Sequence, residues 1–181
     1  ASNFGVGFDW NRRWSKRIQT EVQLQYLSYK YTAGTRTLTE ATGGLFGGGL
    51  SASYFVKKGF DVSLRLRFSQ ELFYRANTLT TATLDQAMLV FAGLGAGYSI
   101  SLSSTDQIRI FGSVDFGLPN RINNYSINTF MNYQIRAGYE TDALGFHLGG
   151  DLGFRMDDVA TSLGTQVWTG FEGRLKAGLS F

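Results

Sequence analysis

Strict alternation of apolar and polar residues is the feature that most constrains this sequence. From Phe60 to Phe68 every second residue is apolar, and from Asp61 to Ser69 every intervening residue is polar. Successive side chains of a β-strand point to opposite faces, so this period of two predicts a strand with one apolar and one polar face. The period recurs in segments at about 3–11, 17–31, 44–57, 60–69, 87–103, 107–118, 128–141, 145–157 and 166–181.

The long uncharged stretch at 86–105 is where a membrane-spanning helix competes with a strand. A helix needs about 20 apolar residues to cross a bilayer, and this stretch is long enough. However, Gly93, Gly95 and Gly97 occupy alternate positions within it. A helix would scatter these glycines around its circumference, whereas a strand places all of them on one face. We therefore predict a strand here.

Strand length and loop spacing predict the type of all-β fold. The segments run to about 12–16 residues, whereas soluble strands usually have about 5–6 and a tilted membrane-crossing strand needs about 9–11. We predict that residues 1–181 form a single domain, an antiparallel transmembrane up-and-down β-barrel of about 8–10 strands, nine of them counted in the chain. Short turns near 12–16, 57–59, 103–106 and 142–145 alternate with longer loops near 32–43, 75–86, 119–127 and 158–165.

Glycines opposite large polar residues indicate that the polar face is crowded. A narrow lumen needs such pairs because long side chains must lie across a neighbouring strand, whereas a solvent face does not. The alternative is that these glycines mark strand curvature. The predicted pairs are Gly49 with Arg67, Ser51 with Arg65, Arg136 with Gly149, His147 with Gly138, Gly7 with Glu21 and Gly5 with Gln23.

The charges of the polar face nearly balance. Buried charges must be paired and hydrogen-bonded, so a near-neutral set is typical of an enclosed ion-pair network. The alternative is an ordinary mixed solvent surface. The residues predicted to form the lumen network are Glu21, Arg65, Arg67, Glu71, Arg109, Asp115, Arg136, Glu140, Asp151, Arg155, Glu172, Arg174 and Lys176.

Aromatic residues cluster toward the short-turn ends of the predicted strands. Such a cluster is typical of the interfacial girdle of a membrane barrel. The alternative is that these side chains are core aromatics near strand ends. The residues in question are Trp10, Tyr54, Phe60, Tyr98, Tyr139, Phe146 and Phe181.

The last predicted strand carries a resemblance to a known family. Phe181 is terminal, and Leu179, Leu175 and Phe171 precede it at alternate positions. This pattern resembles the C-terminal signal of bacterial outer-membrane β-barrel proteins, small barrels of the OmpA, OmpX or OmpW type, without selecting a subfamily. Gly178 departs from the family pattern, in which the glycine more often sits a few positions earlier.

The resemblance implies a location and partners. It implies insertion in the outer membrane of a Gram-negative bacterium, contact with outer-membrane lipid and lipopolysaccharide, and recognition by the barrel-assembly machinery. Family topology places the short turns in the periplasm. The basic turns at 11–17 and Lys57–Lys58 would then meet anionic inner-leaflet lipid or a periplasmic partner, or would simply solvate the turns and end the strands.

The predicted strand count leaves the closure of the barrel open. With nine strands, the first and last run in the same direction, whereas single-chain bacterial barrels have even counts. A strand or N-terminal domain before residue 1 would supply a tenth strand, and this alternative is favoured because "FGVGFDW" is a good strand sequence. Otherwise residues 3–11 lie outside the wall, or the barrel is nine-stranded or completed by another chain.

Residues for chemistry are sparse. The chain has no Cys and one His, and its net charge is +3, which is too mild to indicate nucleic-acid binding. Catalysis needs a nucleophile or water beside a His or paired carboxylates. The single His147 lies near a short turn. Ser63, Ser69 and the Asp157–Asp158 pair lie at other heights along the predicted barrel, so none of them has a His beside it.

We therefore expect a protein that is not an enzyme and has no cofactor, metal site or nucleic-acid partner. About 8–10 strands enclose little more than side chains, which favours a lumen plugged by its charged groups. The predicted role is a membrane anchor or a structural subunit of an envelope complex. The alternatives are a narrow pore for small solutes and, more remotely, a lipid-modifying enzyme.

Overall fold

The computed structural model describes residues 2–30, 37–39, 42–78, 80–122, 125–143 and 146–179. These residues include no helix long and apolar enough to cross a membrane. They form eleven strands: β1 (Ser2–Arg13), β2 (Ile18–Lys30), β3 (Thr37–Thr39), β4 (Thr42–Lys57), β5 (Phe60–Ala76), β6 (Thr81–Ser101), β7 (Asp106–Gly117), β8 (Asn120–Ile122), β9 (Tyr125–Ala143), β10 (Phe146–Thr161) and β11 (Gly164–Leu179).

The nine long strands form one antiparallel sheet in the order β1-β2-β4-β5-β6-β7-β9-β10-β11. The last residues of β1, β4, β6 and β9 lie at one end of the sheet, which we name the short-turn end, and the opposite end is the long-loop end. Two short strands belong to the long-loop end, where β3 pairs in parallel with β6 and β8 pairs with β9. The predicted meander of nine long strands is confirmed.

Two predicted loops are wrong because the flanking strands continue into them. β5 and β6 leave only 77–80 between them, where a loop at 75–86 was expected. Across this hairpin, Arg75 Nε lies 2.8 Å from Asp85 Oδ2. The expected loop at 158–165 is likewise mostly strand. Polar residues can continue the backbone hydrogen bonding of a strand beyond its membrane-facing apolar segment. Hydropathy therefore does not show where these strands end and the turns begin.

The register predicted for the β4–β5 hairpin is confirmed. Gly49 lies opposite Arg67, and Ser51 lies opposite Arg65. The hairpin turns through Gly59, whose φ of 82° is a conformation that favours glycine. The register shifts by one residue at Val56, between the Lys57–Phe60 and Phe55–Asp61 pairs, so the turn and this irregularity together set the pairing of both strands.

The registers predicted for the β1–β2 and β9–β10 hairpins are wrong by four residues. In each hairpin the first strand runs two residues farther than predicted, to Arg13 and Ala143, and the second begins one residue later, at Ile18 and Phe146. Three glycines of β9–β10 still face a charged residue, whereas Gly150 faces Tyr139 and the glycines of β1 do not face charged residues. The observed pairs are Gly7 with Gln25, Gly5 with Leu27, Arg136 with Gly153, Gly138 with Asp151, Gly149 with Glu140 and His147 with Asp142.

Side-chain exposure is inverted relative to a soluble sheet. On the polar face of β5, Asp61 and Glu71 are 0% and 7% exposed, whereas Leu64 and Leu66 on its apolar face are 66% and 55% exposed. Soluble proteins rarely expose a contiguous apolar surface of this kind, and transmembrane barrels present one to lipid. Other buried polar residues include Ser63, Ser69, Ser113, Asp115, Asn132, Gln134, Asp151 and Asp157.

Contacts between distant strands show that the sheet curves around an interior. Arg155 Nη2 of β10 lies 2.9 Å from Glu71 Oε2 of β5, although three strands separate β5 from β10 in the sheet. Gln166 of β11 reaches β5 as well, because its Nε2 donates to the Tyr74 carbonyl oxygen at 2.7 Å. The polar face is therefore the lining of a lumen, and the fold is a transmembrane up-and-down β-barrel.

β1 and β11 form the two ends of the sheet and run in the same direction. Within the described ranges, no pairing joins β1 to β11. β1 pairs with β2 from Ser2 to Arg13, so the alternative that residues 3–11 lie outside the wall is wrong. The described part of the chain therefore contributes nine long strands to the wall, β1 among them.

Candidate functional site in the lumen

A charged layer crosses the middle of the lumen. Glu71 lies at its centre, with Arg67 Nη1 at 3.3 Å from Oε1 and Arg155 Nη2 at 2.9 Å from Oε2. Arg155 Nε also lies 2.9 Å from Asp157 Oδ2. Asp115, with a side chain that is 1% exposed, lies 3.7 Å from Arg67 Nε. The charged layer consists of Arg65, Arg67, Glu71, Asp115, Arg155 and Asp157, and its three cations and three anions cancel.

Arg65 completes this layer on the side of the short turns. Its Nη1 lies 3.5 Å from Asp115 Oδ2 and donates a hydrogen bond to Ser113. On the opposite wall, Asp157 Oδ1 accepts a hydrogen bond from Asn132 Nδ2 at 2.6 Å. Asp157 has both an ionic and a neutral donor and so meets the condition for keeping charge inside a protein, whereas neither oxygen of Asp115 accepts a hydrogen bond among the described residues.

Two further ion pairs lie beside the charged layer. Arg109 Nη2 donates to Asp61 Oδ1 at 2.9 Å, and the Asp61 side chain is 0% exposed. Arg136 Nη2 donates to Glu172 Oε2 at 3.2 Å, and the same oxygen accepts from Gln134 Nε2 at 3.2 Å. The pairs link β7 to β5 and β9 to β11, so the network reaches around most of the wall.

The remaining predicted network residues are placed less centrally. Glu140 accepts a hydrogen bond from Gln107 Nε2 at 2.9 Å, and Asp151 is buried. Glu21 is half-buried and accepts a hydrogen bond from Gln23. The side chains of Arg174 and Lys176 lie outside the described part of the chain, so their role stays a prediction.

Glycines on β6 make room for these polar side chains. A Cβ added at Gly97 would lie 2.6 Å from Asp61 Oδ2 and 2.8 Å from Arg109 Nη2, and one at Gly93 would collide with the Asp115 carboxylate. The alternating glycines are therefore required by close approach of side chains in the lumen. Curvature of the strand is compatible with this role but does not explain these contacts.

An apolar layer lies next to the charged layer, toward the long-loop end. Its aromatic rings stack edge to face, with centroids 6.2 Å apart for Phe73 and Phe130 and 5.0 Å apart for Phe91 and Phe130. The Arg67 guanidinium lies 4.2 Å from the Phe91 ring centroid and joins the two layers. The apolar layer consists of Phe73, Leu89, Phe91, Ile127, Phe130 and Val159, none more than 3% exposed.

The long-loop end is narrowed further by a contact between β5 and β11. β4 leaves β5 beyond Gly47, and the Phe46 N–H donates instead to Gln70 Oε1 at 2.7 Å. The freed edge of β5 is taken by Gln166, which accepts from the Tyr74 N–H at 3.1 Å and donates to the Tyr74 carbonyl at 2.7 Å. A side-chain amide thereby replaces the backbone pairing that β4 gives up.

A cavity opens on the other side of the charged layer, at the short-turn end. Its volume is about 1630 Å³, and its lining reaches from Lys57 and Arg13 near the turns to Arg65 and Arg67. We name this cavity the vestibule. It extends from the short-turn end to the charged layer.

The arrangement offers no assembled catalytic group among the described residues. Ser63 and Ser69 are buried in the lumen wall. Asp157 is bound by Arg155, whereas its neighbour Asp158 points to the opposite face of the strand, so the two carboxylates cannot act on one substrate. The side chain of His147 is outside the described part, and its backbone lies near the short-turn end, opposite Asp142.

The predicted interfacial residues lie on the outer face where they are described. Trp10, Tyr54, Tyr98 and Tyr139 are between 43% and 48% exposed, and Phe60 is half-buried. In the predicted assembly signal, Phe171 and Leu175 are 89% and 95% exposed on the outer face of β11. Phe181 lies outside the described residues, as do the side chains of Phe146 and Leu179.

Two carboxylates of the lumen were not predicted as network members. Asp61 was recognised as a polar-face residue, and its pairing with Arg109 follows from the register of β5, β6 and β7. The sequence indicated Asp157 only as one half of the Asp157–Asp158 pair considered for catalysis. The apolar layer was not predicted either. Phe73 follows Glu71 by two residues on β5, so both side chains point into the lumen, and this spacing could have indicated an apolar residue there.

Comparison with known proteins gives likenesses to solved structures alone. No protein-family model matches the sequence, and a search of curated proteins found no match. Among solved structures, the chain is similar to the β domain of the Bordetella autotransporter BrkA, with 16% identity, 98% of this chain and 77% of that chain covered, and a TM-score of 0.41. The description of this chain as a transmembrane barrel therefore rests on its own pairing and exposure pattern.

Proposed function

We propose that the protein is a non-enzymatic outer-membrane barrel with a closed lumen, which acts as a membrane anchor or as a structural subunit of an envelope complex. The observation that carries the proposal is the apolar layer. Six side chains from four strands meet there with almost no exposed surface. A dry apolar constriction excludes water and therefore also excludes hydrated ions.

The charged layer supports the same conclusion. Its arginines are held by carboxylates at 2.9–3.7 Å, so moving one aside to open a path would leave a buried charge unpaired. Breaking a buried ion pair costs about 3–5 kcal/mol. The two layers together close the lumen by different physical means.

Planar-bilayer conductance of the folded chain tests the proposal. We expect no steady openings from the wild-type protein. We expect openings when Phe73, Phe91 and Phe130 are all replaced by Ala, because these rings fill the centre of the apolar layer. The triple variant Phe46→Ala, Phe116→Ala and Phe154→Ala is a matched control, since these rings are exposed on the outer face, and it should stay silent.

A narrow pore is the second candidate, and the vestibule is the observation that favours it. A cavity of about 1630 Å³ already occupies the short-turn end, so a pore would need only the two layers to part. Steady openings of the correctly folded wild-type chain would establish the pore and refute the closed barrel.

Location in the outer membrane of a Gram-negative bacterium is part of the proposal. It is supported by the apolar outer face with lumen-facing polar residues, which is the arrangement of transmembrane barrels. Expression behind a secretion signal in a Gram-negative host, followed by membrane fractionation, tests it. We expect a heat-modifiable band in the outer-membrane fraction, and recovery from the soluble periplasm would contradict it.

A further inference from the structure

The cations of the short-turn end are gathered on one side of the barrel. Arg12, Arg13, Lys16, Arg17, Lys57 and Lys58 all belong to the β1–β2 and β4–β5 turns, whereas the turn segments 101–106 and 139–143 contain acidic residues and no cation. Within the described residues, none of these six cations forms an ion pair with a carboxylate. This unbalanced charge is not used by the lumen network.

Arg12 is held on the outer wall by an aromatic ring. Trp14 folds back onto β2, where its Nε1 donates to Thr20 Oγ1 at 2.9 Å. The Arg12 guanidinium lies 4.1 Å from the centroid of the Trp14 ring. Arg12 and Thr20 are paired across β1 and β2. The stacked ring leaves the edge of the guanidinium, which carries its N–H donors, free to bind another group.

Arg17 is held at the same end by a second aromatic residue. Its Nη1 donates to Tyr54 Oη at 3.1 Å. The turn before it is fixed by Ser15, whose Oγ accepts from the N–H groups of Arg17 and Ile18, each at 3.1 Å. Tyr54 and Ile18 lie opposite each other on the outer face and are 43% and 45% exposed.

Arg13 has a different environment. Its guanidinium lies 5.1 Å from the ring centroid of Phe55, which lines the vestibule. Its Nε and Nη2 donate to the carbonyl oxygens of Ser15 and Lys16 at 3.2 and 3.1 Å. All three arginines line the mouth of the vestibule, but the Arg13 donors stabilise the turn, whereas Arg12 donates no hydrogen bond and Arg17 only the one to Tyr54 among the described residues.

We infer that Arg12 and Arg17 bind the phosphate of an anionic phospholipid in the leaflet at the short-turn end. Exposed Trp and Tyr side chains mark the headgroup level of a membrane barrel, and the Arg fork matches phosphate oxygens in geometry and charge. Because Trp14 and Tyr54 already restrain the two side chains, little conformational entropy remains to be lost on binding. The exposed apolar neighbours Trp10 and Ile18 favour a lipid over a soluble anion.

Lipid binding to the whole chain in neutral detergent micelles tests this inference. Dioleoylphosphatidylglycerol or dioleoylphosphatidylcholine is added, and retained lipid is counted by native mass spectrometry. The wild type should prefer phosphatidylglycerol. Each guanidinium would donate a charge-assisted hydrogen bond to the phosphate, so Arg12→Gln should weaken the preference about tenfold and the Arg12→Gln/Arg17→Gln double variant about a hundredfold.

Two control variants separate this site from general electrostatic attraction. Lys57→Gln/Lys58→Gln removes the same charge from the neighbouring turn and should change the preference by less than about threefold. Trp14→Leu keeps all charges but removes the ring that contacts the Arg12 guanidinium, so it should weaken the binding of phosphatidylglycerol to the protein. Heat-modifiable gel mobility confirms that each variant is folded, and the single variants Arg12→Gln and Arg17→Gln, each expected to weaken the preference, replace the double variant if it does not fold.

Three outcomes would overturn the inference. The first is unchanged lipid preference in the folded Arg12 and Arg17 variants, and the second is an equal loss in the Lys57 and Lys58 variant. The third is displacement of the lipid by millimolar inorganic phosphate, which would identify a soluble-anion site. The inference rests on the membrane-barrel part of the proposed function, but lipid counts do not depend on whether the lumen conducts, so the two can fail separately.

Discussion

Glu71 is the residue whose loss should damage the lumen most. Glu71→Gln removes the charge that lies 3.3 Å from Arg67 and 2.9 Å from Arg155, in a side chain that is 10% exposed. Breaking a buried ion pair costs about 3–5 kcal/mol. Arg67 keeps Asp115 at 3.7 Å and Arg155 keeps Asp157 at 2.9 Å. We therefore expect the lower end, about 3 kcal/mol of unfolding free energy.

Urea unfolding of the chain in lipid vesicles at pH 7, followed by tryptophan fluorescence, measures this loss. Asp9→Asn is the matched control, because Asp9 is exposed and forms no ion pair among the described residues, and an exposed charge contributes at most about 0–1 kcal/mol. A loss of less than about 1 kcal/mol for Glu71→Gln, equal to that of the control, would refute the reasoning. It would mean that water screens the lumen as it screens an open surface.

Two other positions give sharp predictions. Gly93→Ala should lower the unfolding free energy by about 1–3 kcal/mol in the same assay, because its Cβ would collide with the Asp115 side chain. Gly170→Ala is the control, since nothing lies within 4 Å of its Cβ, and it should change the unfolding free energy by less than about 0.5 kcal/mol. Equal effects of the two substitutions would contradict a packed lumen. At the β6–β7 turn, hydrogen bonds from Ser103 and Tyr139 hold the pKa of Asp106 well below its ordinary value. The ionised Asp106 therefore stabilises the fold above about pH 4, the pKa of an unfolded Asp, and this stabilisation is lost as pH falls through the folded pKa. Asp106→Asn should flatten the dependence of the unfolding free energy on pH in acid. An unchanged dependence would count against this assignment.

Much of the wall could be predicted from the period of two. The alternation at Phe60 to Ser69 identifies both the strand and its two faces, and alternate glycines on β6 identify the lumen side. These features are local, so they do not depend on which strands meet. The β4–β5 register was predicted correctly because the short turn at Lys58 and Gly59 is evident in the sequence, and the one-residue shift at Val56 keeps polar residues opposite each other on the lumen face.

The rest depends on contacts between distant strands. The β1–β2 and β9–β10 registers shifted because the polar turn residues also suit a continuing strand. Phe73 and Phe130 each occupy lumen-facing positions, but their contact depends on how far β9 is displaced along the barrel axis relative to β5. Alternation within one strand carries no information about that displacement.

The central claim is that polar residues face the lumen and apolar residues face lipid. Ser51, Ala52 and Ser53 test it on three consecutive positions of β4, because Ser51 and Ser53 line the vestibule whereas Ala52 is exposed on the outer face. The chain has no Cys, so each position can be replaced singly by Cys and spin-labelled in lipid vesicles. We expect the label at 52 to be accessible to oxygen, which concentrates in lipid, and the labels at 51 and 53 to be accessible to a water-soluble nickel chelate. Accessibility of 52 to the chelate, with 51 and 53 accessible to oxygen, would contradict the account.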